Sequence, residues 1–352
     1  MRIGVVFPQT ELGGDAGAVR AYAQWAEELG FSHVLAYDHV VGADPAVHTG
    51  WDGPYDVHTT FHEPMVLYGY LAAVTSMELV TGVVILPQRQ TVLVAKQAAE
   101  VDLLTGGKFR LGVGIGWNRV EYEALGQDFS TRGKRLEEQI TLLRRVWTEQ
   151  TVTFGGTFDR ITGAGLAPMP VQRPIPVWVG AQSPRAYRRA GRLADGWFPQ
   201  MAPGPRLDEA RRIVTEAAAE AGRDPARLGM EGRLRWQEDR DKLPAAMRQW
   251  QDAGATHLSV NTMGAGLKTV DDHLAVLAIA AEAAKTISGL GHPVVPSAGT
   301  SSSTSNSGSG IPALDRMCRC FRATTRVTAW PGRRHVRGAS PGPHHGRLSV
   351  RP

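Results

Sequence analysis

FRLGVGIGWN, residues 109–118, decides how this 352-residue chain folds. Phe109 to Gly114 is a strand-like run, and it passes without a break into Ile115, Gly116, Trp117 and Asn118. Before it lies an amphipathic stretch from about Val92 to Leu104 that stops at the turn Thr105-Gly106-Gly107; after it come helical segments over about Arg119 to Leu125 and Arg132 to Thr148. A short apolar strand set between helices of 10 to 20 residues is one βα unit of a parallel sheet.

The same alternation extends both ways. Toward the N-terminus, a strand at Ile3 to Phe7 precedes a helix at about Ala18 to Leu29, closed by Gly30. The second strand, His33 to Tyr37, ends in Asp38-His39; a long loop rich in Gly, Pro and His then runs to His62 before a helix opening at Glu63-Pro64. The third strand is Leu79 to Leu86. Toward the C-terminus, the Gly- and Pro-dense segment from Thr151 to Pro176 predicts no regular element. Strands follow at Val177 to Val179, Gly196 to Phe198, within Leu228 to Trp236, and at His257 to Asn261. Helices are predicted at Pro184 to Leu193, Leu207 to Ala221, within Leu243 to Ala253, and at Val270 to Lys285. Eight pairs favour a closed (β/α)8 TIM barrel, an α/β fold, over an open doubly wound sheet.

Composition separates this barrel domain, residues 1–285, from a tail, residues 286–352. The chain is 42% hydrophobic and carries a net charge of +5, but the tail holds nine arginines against Asp315 alone, a net +8, so the body is mildly acidic at about −3. With a Ser/Gly/Thr tract from Ala298 to Gly310 and no apolar periodicity, the tail is predicted to be disordered. Nine arginines attract nucleic acid or another acidic surface electrostatically, and that is the competing functional class. Aromatic interleaving there is limited to Phe321 and Trp330, which favours a solvated extension, so no nucleic-acid partner is expected. Both cysteines, Cys318 and Cys320, also lie in the tail, so no disulfide framework is predicted for the body. The N-terminus lacks the pattern of a signal peptide, and no apolar run approaches the roughly 18 residues of a membrane span. A cytoplasmic protein with a small-molecule substrate and no membrane partner is expected.

In a parallel barrel the chemistry sits at the C-terminal ends of the strands. Four such ends stand out. Asp38-His39 offers an imidazole able to transfer a proton near neutral pH beside a carboxylate, or equally a capping Asp and a structural His. Gly82, inside TGVVILP, marks either a bulge or close packing. Gly112, Gly114 and Gly116 alternate, clearing one side of the strand for a flat ligand; G-x-G-x-G is not the dinucleotide fingerprint G-x-G-x-x-G. Gly180-Ala181-Gln182-Ser183 runs into a helix start at Pro184, where backbone amides can hold a phosphate, although Ser183 is equally an ordinary N-cap. His48, His58, His62 and Glu63 fit no recognised ligand spacing, so no metal is expected.

Taken together, AEELGFSHVLAYDHV, LVTGVVILP, AAEVDLLTGGKFRLGVGIGWNRVEYEALG, RGKRLEEQITLLRRVW and PIPVWVGAQSPRAYRRAGRLADGWFP resemble, in order, the bacterial luciferase-like monooxygenase superfamily, and most closely its F420-dependent oxidoreductase branch. The resemblance covers about residues 1–285. It implies a reduced tricyclic coenzyme at the barrel mouth, with His39 beside its reactive part and Asp38 adjacent. A non-prolyl cis peptide at Gly82-Val83 would support the ring. Gly114, Ile115, Gly116, Trp117 and Asn118 would line it, with Tyr122 nearby, and Gly180, Ala181, Gln182 and Ser183 would grip its phosphate. Sugar-phosphate dehydrogenases of the superfamily carry a glutamate where Trp117 stands, which argues against that activity. Relatives also often have two glycines where this chain reads Gly180-Ala181.

The implied reaction is hydride transfer between coenzyme F420 and a small organic substrate, His39 handling the accompanying proton. The alternative is an FMN-dependent monooxygenase, and no single residue decides between the coenzymes. Homodimers are common in such a family. The loop from Val40 to His62, with Trp51, Tyr55 and Phe61, is expected to cover the substrate.

Overall fold

A computed structural model describes residues 1–288 of the chain. Strand β1 (Arg2–Val6) leads through the short α1 (Gln9–Leu12) into α2 (Ala16–Glu28), and β2 (His33–Ala36) through the long loop into α3 (Pro64–Leu71). The third barrel position is shared by β3 (Glu78–Thr81) and β4 (Val84–Ile85), followed by α4 (Thr91–Leu104). Next come β5 (Phe109–Gly114), α5 (Arg119–Ala124) and α6 (Arg132–Thr148), then β6 (Val152–Gly155) and β7 (Arg160–Ala164). The chain continues with β8 (Val177–Ala181), α7 (Pro184–Leu193), β9 (Gly196–Pro199), α8 (Pro205–Glu220), β10 (Gly229–Arg235), α9 (Leu243–Asp252), β11 (His257–Asn261) and α10 (Val270–Ser288).

The strands pair in parallel in the order β3-β2-β1-β11-β10-β9-β8-β5-β4, and β3 also pairs with β5. That last pairing, Leu79 opposite Phe109 and Val80 opposite Arg110, closes the barrel, so the expected fold is the observed one. The third strand is not continuous from Leu79 to Leu86. It breaks at Gly82-Val83, whose peptide bond is cis, and resumes with Val84 opposite Val113 and Ile85 opposite Gly114. Local propensity reads straight through this point because the break is set by packing: a Cβ on Gly82 would lie 2.4 Å from the Leu35 side chain of β2.

The segment predicted to be irregular, 151–176, contains the antiparallel hairpin β6–β7. Its turn is fixed from outside, since Glu138 on α6 accepts hydrogen bonds from the amides of Thr157, Phe158 and Asp159 at 2.7 to 2.8 Å. No local signal reports such a contact. The last helix runs three residues past Lys285, to Ser288. The predicted tail from residue 289 onward, with its cysteines and the binding considered for it, lies outside the described residues. Among the described residues no helix is long and apolar enough to cross a membrane.

The main core lies between strands and helices, where Trp147 of α6 is buried and donates its indole N–H to the Ala95 carbonyl at 3.0 Å. Inside the barrel, Val6, Leu35, Val80, Trp178 and Phe198 form a separate apolar plug, with Tyr37 and Val83 packed against it. A charged cluster of His33, Arg110 and Glu231 occupies the N-terminal end, as Glu231 accepts from Arg110 Nη1 at 2.7 Å and lies 3.0 Å from His33 Nε2. The C-terminal end is left open.

Candidate functional site

Above the plug lies a cavity of about 900 Å³. The ends of three strands supply one wall: Gly82, Val83 and Ile85 from the bulge, Gly114 to Trp117 after β5, and Gly180 to Ser183 after β8. Residues that sequence reasoning picked from three separated segments are thereby brought together.

The glycines act differently from the expectation that they clear space for a ligand directly. A Cβ on Gly112 would lie 1.9 Å from the Thr81 carbonyl oxygen, one on Gly114 2.6 Å from Val83 Cγ2, and one on Gly116 2.8 Å from Ile85 Cγ2. They make room for the neighbouring bulge, which then presents Val83 to the cavity. Gly116 also has φ +64°, a backbone conformation that side chains other than glycine's rarely adopt.

Asp38 lines the cavity, but its carboxylate is committed: Oδ2 accepts from the Ile85 amide at 3.0 Å and Oδ1 from Arg89 Nη2 at 2.7 Å. Burial pushes its carboxyl up, against the pull of the Arg89 charge. Arg89 also binds Glu63 at 3.0 Å, so Asp38 anchors the segment after the bulge to the long loop. His39 is not a lining residue. Its side chain is only 6% exposed, with Nδ1 3.0 Å from Glu121 Oε1 and Nε2 buried without a partner; its ring lies 5.8 Å from that of Tyr55, which does line the cavity. A carboxylate at Nδ1 fixes the proton there and leaves Nε2 as the free ring nitrogen.

Glu121, missed in the sequence, organises this corner. It accepts from the amides of Val40 at 2.5 Å and Val41 at 3.3 Å and from Gln88 Nε2 at 2.9 Å, besides facing His39. Burial alone would raise its carboxyl, but the bonds from His39, Val40 and Gln88 hold it below the ordinary range. In the sequence it reads as an acid in the first turn of a helix, a common dipole partner, and nothing marks it as buried.

Asn118 and Tyr122 lie behind the wall. Asn118 is the N-cap of α5, its Oδ1 accepting from Val120 and Glu121 at 3.0 and 3.3 Å, and Tyr122 donates to the Ile115 carbonyl at 2.7 Å. Both hold the chain that follows β5. Ser183 is the N-cap of α7, its Oγ 3.4 Å from the Ala186 amide, so the capping role and the cavity position coincide. Arg132, also missed, lines the cavity with its guanidinium 3.6 Å over the Phe129 ring and its Nε buried without a partner. The helix N-terminus and this charge together make an anion-binding corner.

Of the loop expected to cover the substrate, Tyr55 lines the cavity and Trp51 packs on Trp117 at 5.7 Å. His62 is bound to the Gly13 carbonyl at 2.9 Å, and Glu63 is the N-cap of α3. Among the described residues no cluster of three or more His, Cys, Asp and Glu side chains is placed to hold a metal ion.

The profile of the luciferase-like monooxygenase family matches residues 1–289. An uncharacterized Mycobacterium tuberculosis protein is 30% identical over 250 residues, 68% of this chain and 84% of its own. The F420-dependent glucose-6-phosphate dehydrogenase of Microbacterium testaceum is 28% identical over 239 residues, 66% of this chain and 68% of that protein. An FMNH2-dependent dimethylsulfone monooxygenase of Pseudomonas fluorescens is 31% identical over 182 residues, 51% of this chain and 46% of that protein. In fold, the crystal structure of the monooxygenase RslO1 of Streptomyces bottropensis superposes with a TM-score of 0.68 at 21% identity, over 82% of this chain and all of that one.

Proposed function

Because the chain belongs to the luciferase-like monooxygenase family and is an enzyme of the oxidoreductase and monooxygenase class, we propose that it binds coenzyme F420 in the barrel mouth and transfers a hydride between it and a small organic substrate in the cytoplasm. The observation that carries this reading is the convergence of the bulge, the β5 end and the β8 end on one cavity of about 900 Å³, large enough for a tricyclic ring and a substrate.

The residues present fit such a group. Val83 offers an apolar face, the turn Gly180 to Ser183 brings a backbone-lined helix start, and Arg132 holds an unpartnered buried Nε beside it. When bound, the reduced coenzyme supplies the hydride. Val83 and Ile115 support its ring, and the α7 N-terminus with Arg132 binds its phosphate. His39, set behind Tyr55 with its Nε2 buried, would donate or accept the accompanying proton when movement of that corner opens Nε2 to the cavity, while Glu121 keeps the other ring nitrogen protonated and the imidazole oriented. Residues 1–285 carry all of these roles.

Equilibrium titration with both coenzymes tests the assignment. Coenzyme F420 is expected to bind at least about tenfold more tightly than FMN, a difference of about 1.4 kcal/mol. The reverse order would favour the oxygen chemistry of the FMN-dependent relative, and binding of neither would remove the proposal. In stopped-flow oxidation of the reduced coenzyme, His39→Ala is expected to slow the step about 100-fold, the usual size of a lost general acid, at unchanged coenzyme affinity. An unaltered rate would take His39 out of the chemistry.

A further inference from the structure

The cavity carries more positive charge than the coenzyme-binding wall explains. Around the barrel β10 stands four positions from the β3–β4 bulge, on the far side of the mouth. Arg233 and Arg235, two residues apart on this strand and so on the same side of it, both line the cavity. Arg233 lies 5.8 Å from the Tyr37 ring and donates to the Gln200 side-chain oxygen. Arg235 is exposed, and among the described residues its side chain makes no hydrogen bond or ion pair. Among the described residues the one carboxylate on the cavity wall, Asp38, is already taken by Arg89 and the Ile85 amide. Two guanidinium groups thus face the open space with no counter-charge among the described residues, while Arg132 at the start of α6 serves the coenzyme phosphate.

Uncompensated like charges at a cleft mouth raise the local potential and attract anions. Guanidinium is suited to a flat, two-oxygen partner, which it holds through paired N–H donors. Tyr55 lies within electrostatic reach of both arginines, and Trp117, from the β5 side, stands 6.5 Å from it between ring centroids, so two ring faces line the space that separates the pair from the bulge wall. We propose that Arg233 and Arg235 form an anion subsite that orients the substrate, so that the substrate is an organic acid, a planar body bearing a carboxylate or phosphate held at β10 while its reacting carbon faces the coenzyme. This rests on the assignment above of the bulge side of the cavity to the coenzyme.

Isothermal titration of the full-length protein with benzoate, phenyl phosphate and the neutral isostere benzamide tests it, alongside titration with coenzyme F420 and FMN. The wild type should bind at least one of the two anions about tenfold or more tightly than benzamide, as expected for hydrogen bonds to a charged group. In Arg233→Gln/Arg235→Gln that preference should vanish while coenzyme affinity stays within about twofold. Arg235→Gln alone, at an exposed position, should fold normally and lose part of the preference. Equal binding of all three probes by the wild type, or a preference that survives the double substitution, would overturn the subsite. A tenfold fall in coenzyme affinity in the double variant would also overturn it, by assigning the pair to anionic groups of the coenzyme. If neither coenzyme binds the wild type but the anion preference is present and depends on the two arginines, the coenzyme assignment fails and the anion subsite stands.

Discussion

Glu231→Ala is expected to destabilise the barrel by about 3 to 5 kcal/mol, the cost of breaking a buried charge pair from one side. The carboxylate is fully buried at the N-terminal end, where it accepts from Arg110 Nη1 at 2.7 Å and Ser259 Oγ at 2.5 Å and faces His33 Nε2 at 3.0 Å. Arg110 keeps a second carboxylate, the partly exposed Glu78, at 3.2 Å and the Trp178 face at 4.2 Å, but Glu78 meets Nε and Nη2 and leaves the buried Nη1 without its acceptor. Burial opposes ionisation of Glu231, but the attraction of Arg110 and His33 outweighs it and holds the carboxyl well below the usual range. A depressed carboxyl contributes stability that is present above its unfolded value of 4.5 and lost as pH falls below it. Nearby His257, held at about 3 by burial and by the Arg110 charge, adds stability that is full above 6.5 and lost as pH falls from 6.5 toward 3. Urea unfolding of the wild type should therefore weaken progressively from pH 6.5 downward, and His257→Phe should flatten the upper part of that decline. A loss below about 1 kcal/mol in Glu231→Ala, within the range of an ordinary surface pair, would show that the cluster contributes little.

Gly112→Ala is the second large effect. Its methyl group would stand 1.9 Å from the Thr81 carbonyl oxygen and 2.8 Å from the Phe198 ring. Neither neighbour can retreat easily: the Thr81 hydroxyl bridges the Gly112 carbonyl and amide at 2.7 and 2.8 Å, and Phe198 belongs to the plug. Backbone against side chain in a closed barrel should cost about 4 kcal/mol or more and abolish coenzyme binding with it. Gly180→Ala is the control. There the nearest atom is Val83 Cγ1 at 3.3 Å, a side chain that needs to yield only slightly, so the loss should stay below about 1.5 kcal/mol. Thermal unfolding of the two variants side by side gives the answer; equal melting temperatures would contradict the idea that the β5 glycines exist to accommodate the bulge.

Much of this was legible in the chain itself. The first six residues of FRLGVGIGWN form β5, and His257 to Asn261 forms β11, both with the boundaries read from their apolar runs. Those strands are buried on both faces, so their sequence carries one unmixed signal. The hairpin at 152–164 was not legible because Glu138, on a different element, holds its turn. At the site, the wall residues were readable because glycine clusters at strand ends are rare and conspicuous. Glu121, Arg89 and Arg132 were not, since a charged residue on a helix or loop looks the same whether it meets water or a buried partner. His39 was chosen for its chemistry and its position after β2, but sequence gives no depth, and only the fold shows it set back beside Tyr55. Arg233 and Arg235 went unremarked because the sequence placed their strand only within Leu228 to Trp236, without showing which of its residues reach the barrel mouth.

The four bonds gathered by Glu121 divide the rim of the barrel into unequal halves. The connections after β2, after β4 and after β5 are knotted to a single carboxylate, so a replacement in any of them is transmitted to the other two. Among the described residues the connections after β9, β10 and β11 have no share in that knot. Engineering aimed at a new substrate should therefore remodel Met201 to Gly204 first, away from that carboxylate and from the proposed coenzyme wall, whereas Met263 to Gly266 is tied to the connection after β1 by the Gly264 amide on Glu11.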